Sequence, residues 1–158
     1  MEVYRISLSK WSQSLRASGR AARWNSEGRE VIYAAASRSL ACLENIVHRN
    51  STELIDRFRV MVFYIPDHLI VESVFLSQLP EGWHLSDESA YHKCRRIGDN
   101  WLDQKTAPLL KVPSSIIKNE FNILLNPFHP EFEHIKLIDN EPFLFDPRLR
   151  RELLNRQT

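Results

Sequence analysis

"VIYAAASRSLACLENIVH", residues 31–48, joins a strand pattern to a helix pattern. Its first six residues form a short apolar run, which is typical of a strand. Ser37 follows, and serine is a favourable N-cap residue. Leu40, Leu43 and Val47 then recur at spacings of three and four residues, which predicts an amphipathic helix. The stretch therefore predicts a strand that leads directly into a helix.

Strand patterns recur along the rest of the chain. They occur in "EVYRIS" (2–7), "RFRVMVFYI" (57–65), "LIVESVF" (69–75) and "FNILLN" (121–126). We also expect "HIKLI" and "FLFD" to form a hairpin around the turn residues "DNEP", 139–142. A second helix is predicted in "SDESAYHKCRRIGDNWLDQK" (86–105), although Gly98 lowers its helical propensity.

The order of these elements indicates the fold class. Strands outnumber helices and do not alternate strictly with them. This order favours an α+β fold in which helices flank a mixed, mostly antiparallel sheet. The polar segment "ASGRAARWNSEGRE" (17–30) carries two of the four glycines and predicts a surface loop.

Composition indicates a soluble protein of one domain, residues 1–158. Hydrophobic residues make up 43% of the chain, which is enough for a core, and the formal net charge is +1. A charge so close to zero argues against direct binding of nucleic acid or an acidic membrane. The N-terminus lacks the apolar core of a signal peptide, and no apolar run is long enough to span a bilayer. Cys42 and Cys94 fit reduced, buried thiols, so we expect a cytoplasmic location.

Several common site types are missing from the sequence. It has no Walker phosphate loop, no GxGxxG motif and no GxSxG nucleophile elbow. Its six histidines are scattered, and none pairs with another at zinc spacing. We therefore expect no metal site.

Three groups of residues remain as candidates. Arg23 lies beside a tryptophan in a polar loop, where its guanidinium suits an anion such as phosphate; the alternative is a solvated arginine that stacks on Trp24. Tyr33 lies in the strand before the helix that carries Glu44, and the apolar neighbours of Glu44 predict partial burial. The alternative for Glu44 is an ion pair with Arg49 or Lys93.

The third group lies near the C-terminal third of the chain. Ser114 in "VPSS" either caps a helix formed by "SIIKNEF" or faces a ligand. Asn126 and His129 in "NPFHP" either stabilise a turn or join the same pocket.

These fragments, taken in order, resemble one family. The string "RWN..G..VIYAA.S..LACLE..VH" resembles the RES domain family, which is named for an arginine, a glutamate and a serine. "VYRIS", "GDNWL", "VPSS", "NILLNPFHPEF" and "FLFDPRL" agree with it in the same order. The resemblance covers nearly the whole chain.

The resemblance implies a fold, an activity and partners. RES proteins are typically toxins of bacterial toxin–antitoxin systems that destroy NAD, with a fold similar to that of ADP-ribosyltransferases. NAD is then a substrate, and no cofactor is expected. The implied partner is an Xre-type helix-turn-helix antitoxin, which would supply any contact with DNA, and a homodimer is a further expectation.

The resemblance also implies the site residues. It places the family arginine at Arg23, the tyrosine at Tyr33, the glutamate at Glu44 and the serine at Ser114. Arg5, in "VYRIS", is a possible fifth residue of the pocket. Two segments depart from the family pattern: Ala22 replaces a glycine common in relatives, and "YHKCRRI" is unusually basic.

In the implied reaction, Glu44 stabilises the positive charge that develops on the ribose while nicotinamide leaves, or holds the ribose 2′-hydroxyl, or orients the acceptor. Arg23 grips the pyrophosphate, Tyr33 stacks on the nicotinamide or shapes its slot, and Ser114 bonds the ribose or the carboxylate. Water, phosphate or a macromolecule remains open as the acceptor.

Three other functions stay open. The chain could be an ADP-ribosyltransferase for a macromolecular target, or a catalytically silent module that binds an antitoxin. A nucleic-acid-binding protein, using "RRELLNR" or Arg57 and Arg59, is the weakest alternative because the net charge is near zero.

Overall fold

Seven strands form one sheet in the computed structural model, which describes residues 1–49 and 57–149. The strands are β1 (Glu2–Leu8), β2 (Ile32–Ala35), β3 (Phe58–Tyr64), β4 (Val71–Ser73), β5 (Leu109–Pro113), β6 (Phe121–Leu125) and β7 (Lys136–Phe143). Their order across the sheet is β4-β5-β6-β2-β1-β3-β7, and only the β4–β5 pair is parallel. The predicted α+β fold with a mixed, mostly antiparallel sheet is confirmed.

Helices α1 (Arg38–His48) and α2 (Glu88–Gln104) form where the sequence predicts them. The Ser37 hydroxyl caps α1 by accepting a hydrogen bond from Leu40 N at 3.1 Å. Leu40 is fully buried, whereas Val47 is exposed. The apolar stripe of α1 is therefore narrower than predicted.

The sheet has two buried faces. Leu40 of α1 packs with Val60 on one face, and Leu124 packs with residues of α2 on the same side. On the opposite face Ile32 and Phe63 pack against segments outside these helices. The alternation of side chains along each strand separates the two cores.

The hairpin predicted around "DNEP" is wrong. Residues 136–143 form the single strand β7, which pairs with β3 from Phe58↔Phe143 to Tyr64↔Lys136. Asn140 binds Arg59 Nε at 2.6 Å instead of forming a turn. Pro142 is tolerated because β7 is an edge strand, where one side of the backbone has no ladder to complete.

The helix predicted at "SIIKNEF" is also wrong. Residues 114–120 form the turn between β5 and β6, closed by a 2.9 Å bond from Ser114 N to Glu120 O. Asn119 adopts a left-handed conformation with φ +67°, which suits a turn and not a helix. The local β-hairpin therefore overrides the capping pattern.

The segment 17–30 is a loop, but it is not confined to the surface. Trp24 and Asn25 are only 3% and 1% exposed. Gly98 explains how they can be buried, because a Cβ built at this position would lie 1.8 Å from Trp24 O. The glycine that weakens the helix prediction is therefore required for the close approach of α2 to this loop.

Other expectations concern the surface and the cysteines. Cys94 is buried, Cys42 is partly exposed, and both are free. Across residues 1–49 and 57–149, no helix combines the length and the apolar character needed to cross a bilayer. The basic tail "RRELLNR" lies outside the described residues.

Candidate active site

The sheet is almost divided between β1 and β2. These strands meet at a single pair, Tyr4↔Ala35, and then diverge. Asn45 of α1 compensates for the missing ladder by donating a hydrogen bond to Ile6 O at 3.2 Å. We call this place the seam.

A cavity of about 650 Å³ opens at the seam. Arg5 pairs with Met61 and so belongs to one face of the sheet, whereas Ile6 and Ala35 belong to the other. Arg5, Ile6 and Ala35 all line the cavity, so the cavity reaches both faces of the sheet. Its polar lining comprises Tyr4, Arg5, Arg20, Arg23, Tyr33, Glu44, Asn45, His48, Arg49, Tyr91, Ser115 and Asn122.

Glu44 lies in this cavity on α1, with a side chain that is 23% exposed. Its Oε1 accepts a hydrogen bond from Asn122 Nδ2 at 2.6 Å. Its Oε2 lies 3.5 Å from Nε2 of His48, one turn along the helix. The predicted partial burial of Glu44 is therefore observed, but the partners are Asn122 and His48 and not the cations proposed from the sequence.

Arg5 joins the cavity from β1. Its guanidinium donates to Arg16 O at 2.9 Å. Burial lowers the pKa of Arg5, and the nearby charge of Arg49 lowers it further. The two guanidinium groups carry the same charge, so both would attract an anion that enters the cavity.

Arg23 also lines the cavity, but most of its donors are already used. Its guanidinium donates to the backbone carbonyls of residues 83–85. The guanidinium carbon lies 4.5 Å from the centre of the Tyr91 ring, which is a cation–π contact. Arg23 therefore stacks on Tyr91 and not on Trp24, and it fastens the 83–85 segment to the cavity wall.

Tyr33 is largely buried in β2 beside Arg23. Its hydroxyl donates to Asn25 Oδ1 at 2.6 Å and accepts from Trp24 N at 3.2 Å. Burial is the main cause that raises the pKa of Tyr33 far above the ordinary value. The hydroxyl therefore stays protonated and holds the loop, while other atoms of Tyr33 line the cavity.

The two departures from the family pattern meet at the same loop. Arg95, from the basic segment on α2, donates to Ala22 O at 2.9 Å. Asp99 of α2 accepts from both the backbone and the hydroxyl of Ser26. The loop that carries Arg23 is therefore held against α2 by several hydrogen bonds.

Ser114 lies beside the cavity and not among its lining residues, although Ser115 is one of them. The Ser114 side-chain oxygen accepts from the backbone N–H groups of Ile116 and Ile117, both at 3.1 Å. This is the bonding of a serine that stabilises its own turn.

The "NPFHP" segment does not join the cavity. Asn126 Oδ1 accepts from Phe128 N, and His129 Nδ1 accepts from Glu131 N. Both are turn contacts. The predicted alternative of plain turn chemistry is therefore what the structure shows for these two residues.

The structure thus brings Arg5, Arg23, Tyr33 and Glu44 to one cavity and leaves Ser114 at its edge. Sequence reasoning missed Asn122, Asn45 and Tyr91 as lining residues. Asn122 had a signal, because it lies within the family fragment "NILLNPFHPEF". Among the described residues no cluster of metal-binding side chains is present.

Comparison with known proteins gives the family. The model of the RES domain matches residues 2–146. The chain belongs to the RES domain family. The resemblance predicted from the sequence is confirmed.

Two relatives of this RES chain cover most of its length. The Prs ADP-ribosylating toxin of Sphingobium sp. (strain YBL2) is 38% identical over 133 residues, which are 82% of this chain and 81% of the relative. Toxin Res of Yersinia enterocolitica (serotype O:8, biotype 1B) is 32% identical over 157 residues, which are 95% of this chain and 100% of the relative.

A solved structure shares the fold of this RES chain. It is the crystal structure of the M. tuberculosis MbcT–MbcA toxin–antitoxin complex, which matches with a TM-score of 0.74 at 18% identity. The match covers 99% of this chain and 89% of that chain.

Proposed function

We propose that this protein is the toxin of a type II toxin–antitoxin system and that it depletes NAD by cleaving the bond between nicotinamide and ribose. Relatives named as toxins support the biological role. One observation carries the chemistry. Among the described residues that line the seam cavity, Glu44 is the one acidic side chain, and four arginines accompany it.

A single carboxylate suits this leaving group. Nicotinamide in NAD is a cationic pyridinium, so the electron pair of the broken bond makes it neutral. It needs no proton from a general acid, whereas a departing sugar alkoxide does. One acidic residue in the cavity is therefore sufficient for the bond cleavage.

Glu44 acts on the ribose in this proposal. As the bond to nicotinamide breaks, positive charge develops on the sugar. A preorganised carboxylate stabilises that charge, and groups of this kind contribute about 3–4 kcal/mol, or roughly 10²–10³ in rate. Its uncharged partner Asn122 leaves the negative charge of Glu44 available for this role.

Arginines bind the pyrophosphate. Arg5 and Arg49 lie close enough to affect each other and suit the phosphate oxygens. Arg23 has three backbone carbonyls as partners, so it contributes mainly its charge and its remaining N–H donors. Tyr33 shapes the nicotinamide slot, and Ser114 acts by holding the turn that places Ser115 in the cavity wall.

The test is nicotinamide release from NAD by the purified protein. The wild-type protein should release nicotinamide. Glu44→Gln should lower the rate of release by about 10²–10³-fold, because it removes the charge of the side chain and keeps its shape. Glu81→Gln, at an exposed position, is the matched control and should keep full activity. Full activity of Glu44→Gln in a folded protein would disprove the role of Glu44.

NAD labelled on the adenylate part identifies the acceptor. Hydrolysis gives free ADP-ribose, phosphorolysis gives phosphorylated ADP-ribose, and transfer leaves the label on a macromolecule. The last outcome is the second candidate function, which the 38% identity with an ADP-ribosylating toxin favours. Binding of an antitoxin without turnover of NAD would instead identify a silent module.

The proposed partner is an Xre-type antitoxin, which would make any contact with DNA indirect. The likeness in fold between this chain and a protein from a toxin–antitoxin complex supports this proposal. The protein should arrest growth when it is expressed in the bacterial cytoplasm, and co-expression of a helix-turn-helix protein from an adjacent gene should restore growth. Sedimentation of the free toxin would test the expected homodimer.

A further inference from the structure

Asn122, on β6, forms a hydrogen bond with Glu44, on α1. It lies on β6, where its neighbours in the ladders are Ala35 of β2 and Val112 of β5. Pairing on both sides fixes the backbone of Asn122, so its side chain starts from a rigid element. The 2.6 Å bond from Nδ2 to Glu44 Oε1 joins residues that are 78 positions apart.

The two oxygens of Glu44 have different surroundings. Oε1 is held by Asn122, whereas Oε2 lies 3.5 Å from Nε2 of His48, a side chain that is 63% exposed. A distance of 3.5 Å is longer than an ordinary N–H···O hydrogen bond. Among the described residues, Oε2 therefore has no hydrogen-bond partner at an ordinary distance, and we infer that a ligand would bind this oxygen.

The partner of Oε1 is also chemically suited to this role. A lysine or arginine there would neutralise the carboxylate, and an aspartate would compete with it for a proton. The amide of asparagine donates a hydrogen bond and carries no charge. It orients Glu44 and leaves its charge in place.

We propose that Asn122 is a positioning residue that fixes Oε1 of Glu44 so that Oε2 faces the reacting ribose. The inference rests on the proposed NAD cleavage and adds a residue to its machinery. Because Asn122 acts through Glu44, its loss should lower the rate of bond cleavage more than the affinity for NAD.

Asn122→Ala tests this with steady-state kinetics. We expect kcat to fall about 10–100-fold, because a misplaced catalytic group costs this much, and KM to change less than about twofold. Asn100→Ala, an exposed asparagine on α2, is the matched control and should match wild type. An unchanged kcat, or a KM that rises with kcat intact, would overturn the proposal.

Asn122→Asp gives a pH signature that a merely structural role does not produce. At neutral pH the introduced carboxylate repels Glu44, so activity should fall at least as far as in Asn122→Ala. As the pH falls, the introduced group gains a proton and can donate to Oε1 again. The ratio of its activity to that of wild type should therefore rise towards pH 5, and a flat ratio would count against the proposal.

Other charged groups share the cavity with Glu44, and each of them occurs in both proteins that this ratio compares. They are His48 and Arg49 at the end of α1, Arg5 on β1, and Arg20 and Arg23 in the loop. All of them are present in both proteins, so they contribute to both activities in the ratio.

A measurement without NAD separates failure of this inference from failure of the proposed function. The carboxylate carbon of Glu44 should change its NMR chemical shift in Asn122→Ala, since the bonded donor is gone. An unchanged shift overturns the inference even if NAD is cleaved. A wild-type protein that releases no nicotinamide overturns the proposed function, whatever the NMR result.

Discussion

Strand β1 has two very different neighbours. On one side it pairs with β3 over its full length, from Glu2↔Tyr64 to Leu8↔Phe58. On the other side it meets β2 at one residue pair. At the first junction, the backbone N–H and C=O groups of β1 and β3 form hydrogen bonds with one another. At the second junction, backbone groups of β1 need other partners, and the side chain of Asn45 binds one of them.

We relate the full ladder to stability and the seam to the proposed chemistry. A full ladder surrounded by apolar side chains has no room for a ligand. A junction of one pair opens the sheet and admits polar side chains from both faces, including Arg5 and Glu44. We therefore expect changes in the ladders to reduce stability and changes at the seam to reduce activity.

The largest expected effect on stability is in the full ladder. Phe63 of β3 is fully buried, so Phe63→Ala should lower the free energy of unfolding by about 3–5 kcal/mol. Urea denaturation measures this. The control is Tyr64→Ala, one residue further along β3 and exposed, which should cost much less. Equal losses for the two variants would contradict the assignment of the faces.

A smaller effect should follow from a change in α2 behind Trp24, which lines the seam cavity. In Gly98→Ala the new Cβ would clash with the Trp24 carbonyl, so α2 and the loop must move apart. We expect a loss of about 1–3 kcal/mol, even though alanine favours the helix. The control is His92→Ala, at an exposed position of α2, which raises helical propensity without causing the clash.

The same variant tests how closely the loop and the site are linked. Gly98→Ala should also reduce nicotinamide release at temperatures where the protein is fully folded, because the loop carries Arg23. Normal turnover by a destabilised Gly98→Ala protein would show that the position of the loop matters only for stability.

The smallest expected effect concerns the Tyr33 hydroxyl. Its folded-state pKa is raised by burial, so the protonated form stabilises the native state at pH values below the unfolded value of about 10. That contribution is lost as the pH rises beyond about 10 towards the folded-state pKa. The hydrogen bonds of the hydroxyl are worth about 1 kcal/mol.

Tyr33→Phe is the variant that isolates this effect. It should be less stable than wild type at pH 8, and the difference should shrink between pH 9 and pH 11. Urea denaturation at several pH values measures the difference. A difference that stays constant with pH would mean that ionisation of Tyr33 is not linked to unfolding.

Local patterns predicted most of the elements. The periodicity of residues 31–48 gave the strand, the Ser37 cap and the helix, and the apolar run at 57–65 gave β3. These patterns depend on residues within a few positions of one another. The family motifs also predicted Arg5, Arg23, Tyr33 and Glu44, which all line the cavity. Motifs that occur in a fixed order along the chain can identify such residues even when they are far apart in sequence.

The errors arose where a distant segment determines the outcome. "DNEP" has turn residues, but pairing with β3 and a place at the sheet edge make it a strand. "SIIKNEF" has a capping serine, but the hairpin between β5 and β6 leaves no room for a helix. The loop 17–30 is polar, but the missing side chain of Gly98 allows Trp24 to be buried.

By itself, the sequence determined the types of most elements, the fold class and the family, because short-range periodicity and ordered motifs carry that information. Tertiary structure decided that β1 and β2 meet at one pair and that Asn122 holds Glu44. The physical reason is distance along the chain. A hydrogen bond between residues 78 positions apart exists only because the order of strands brings β6 and α1 to the same side of the seam.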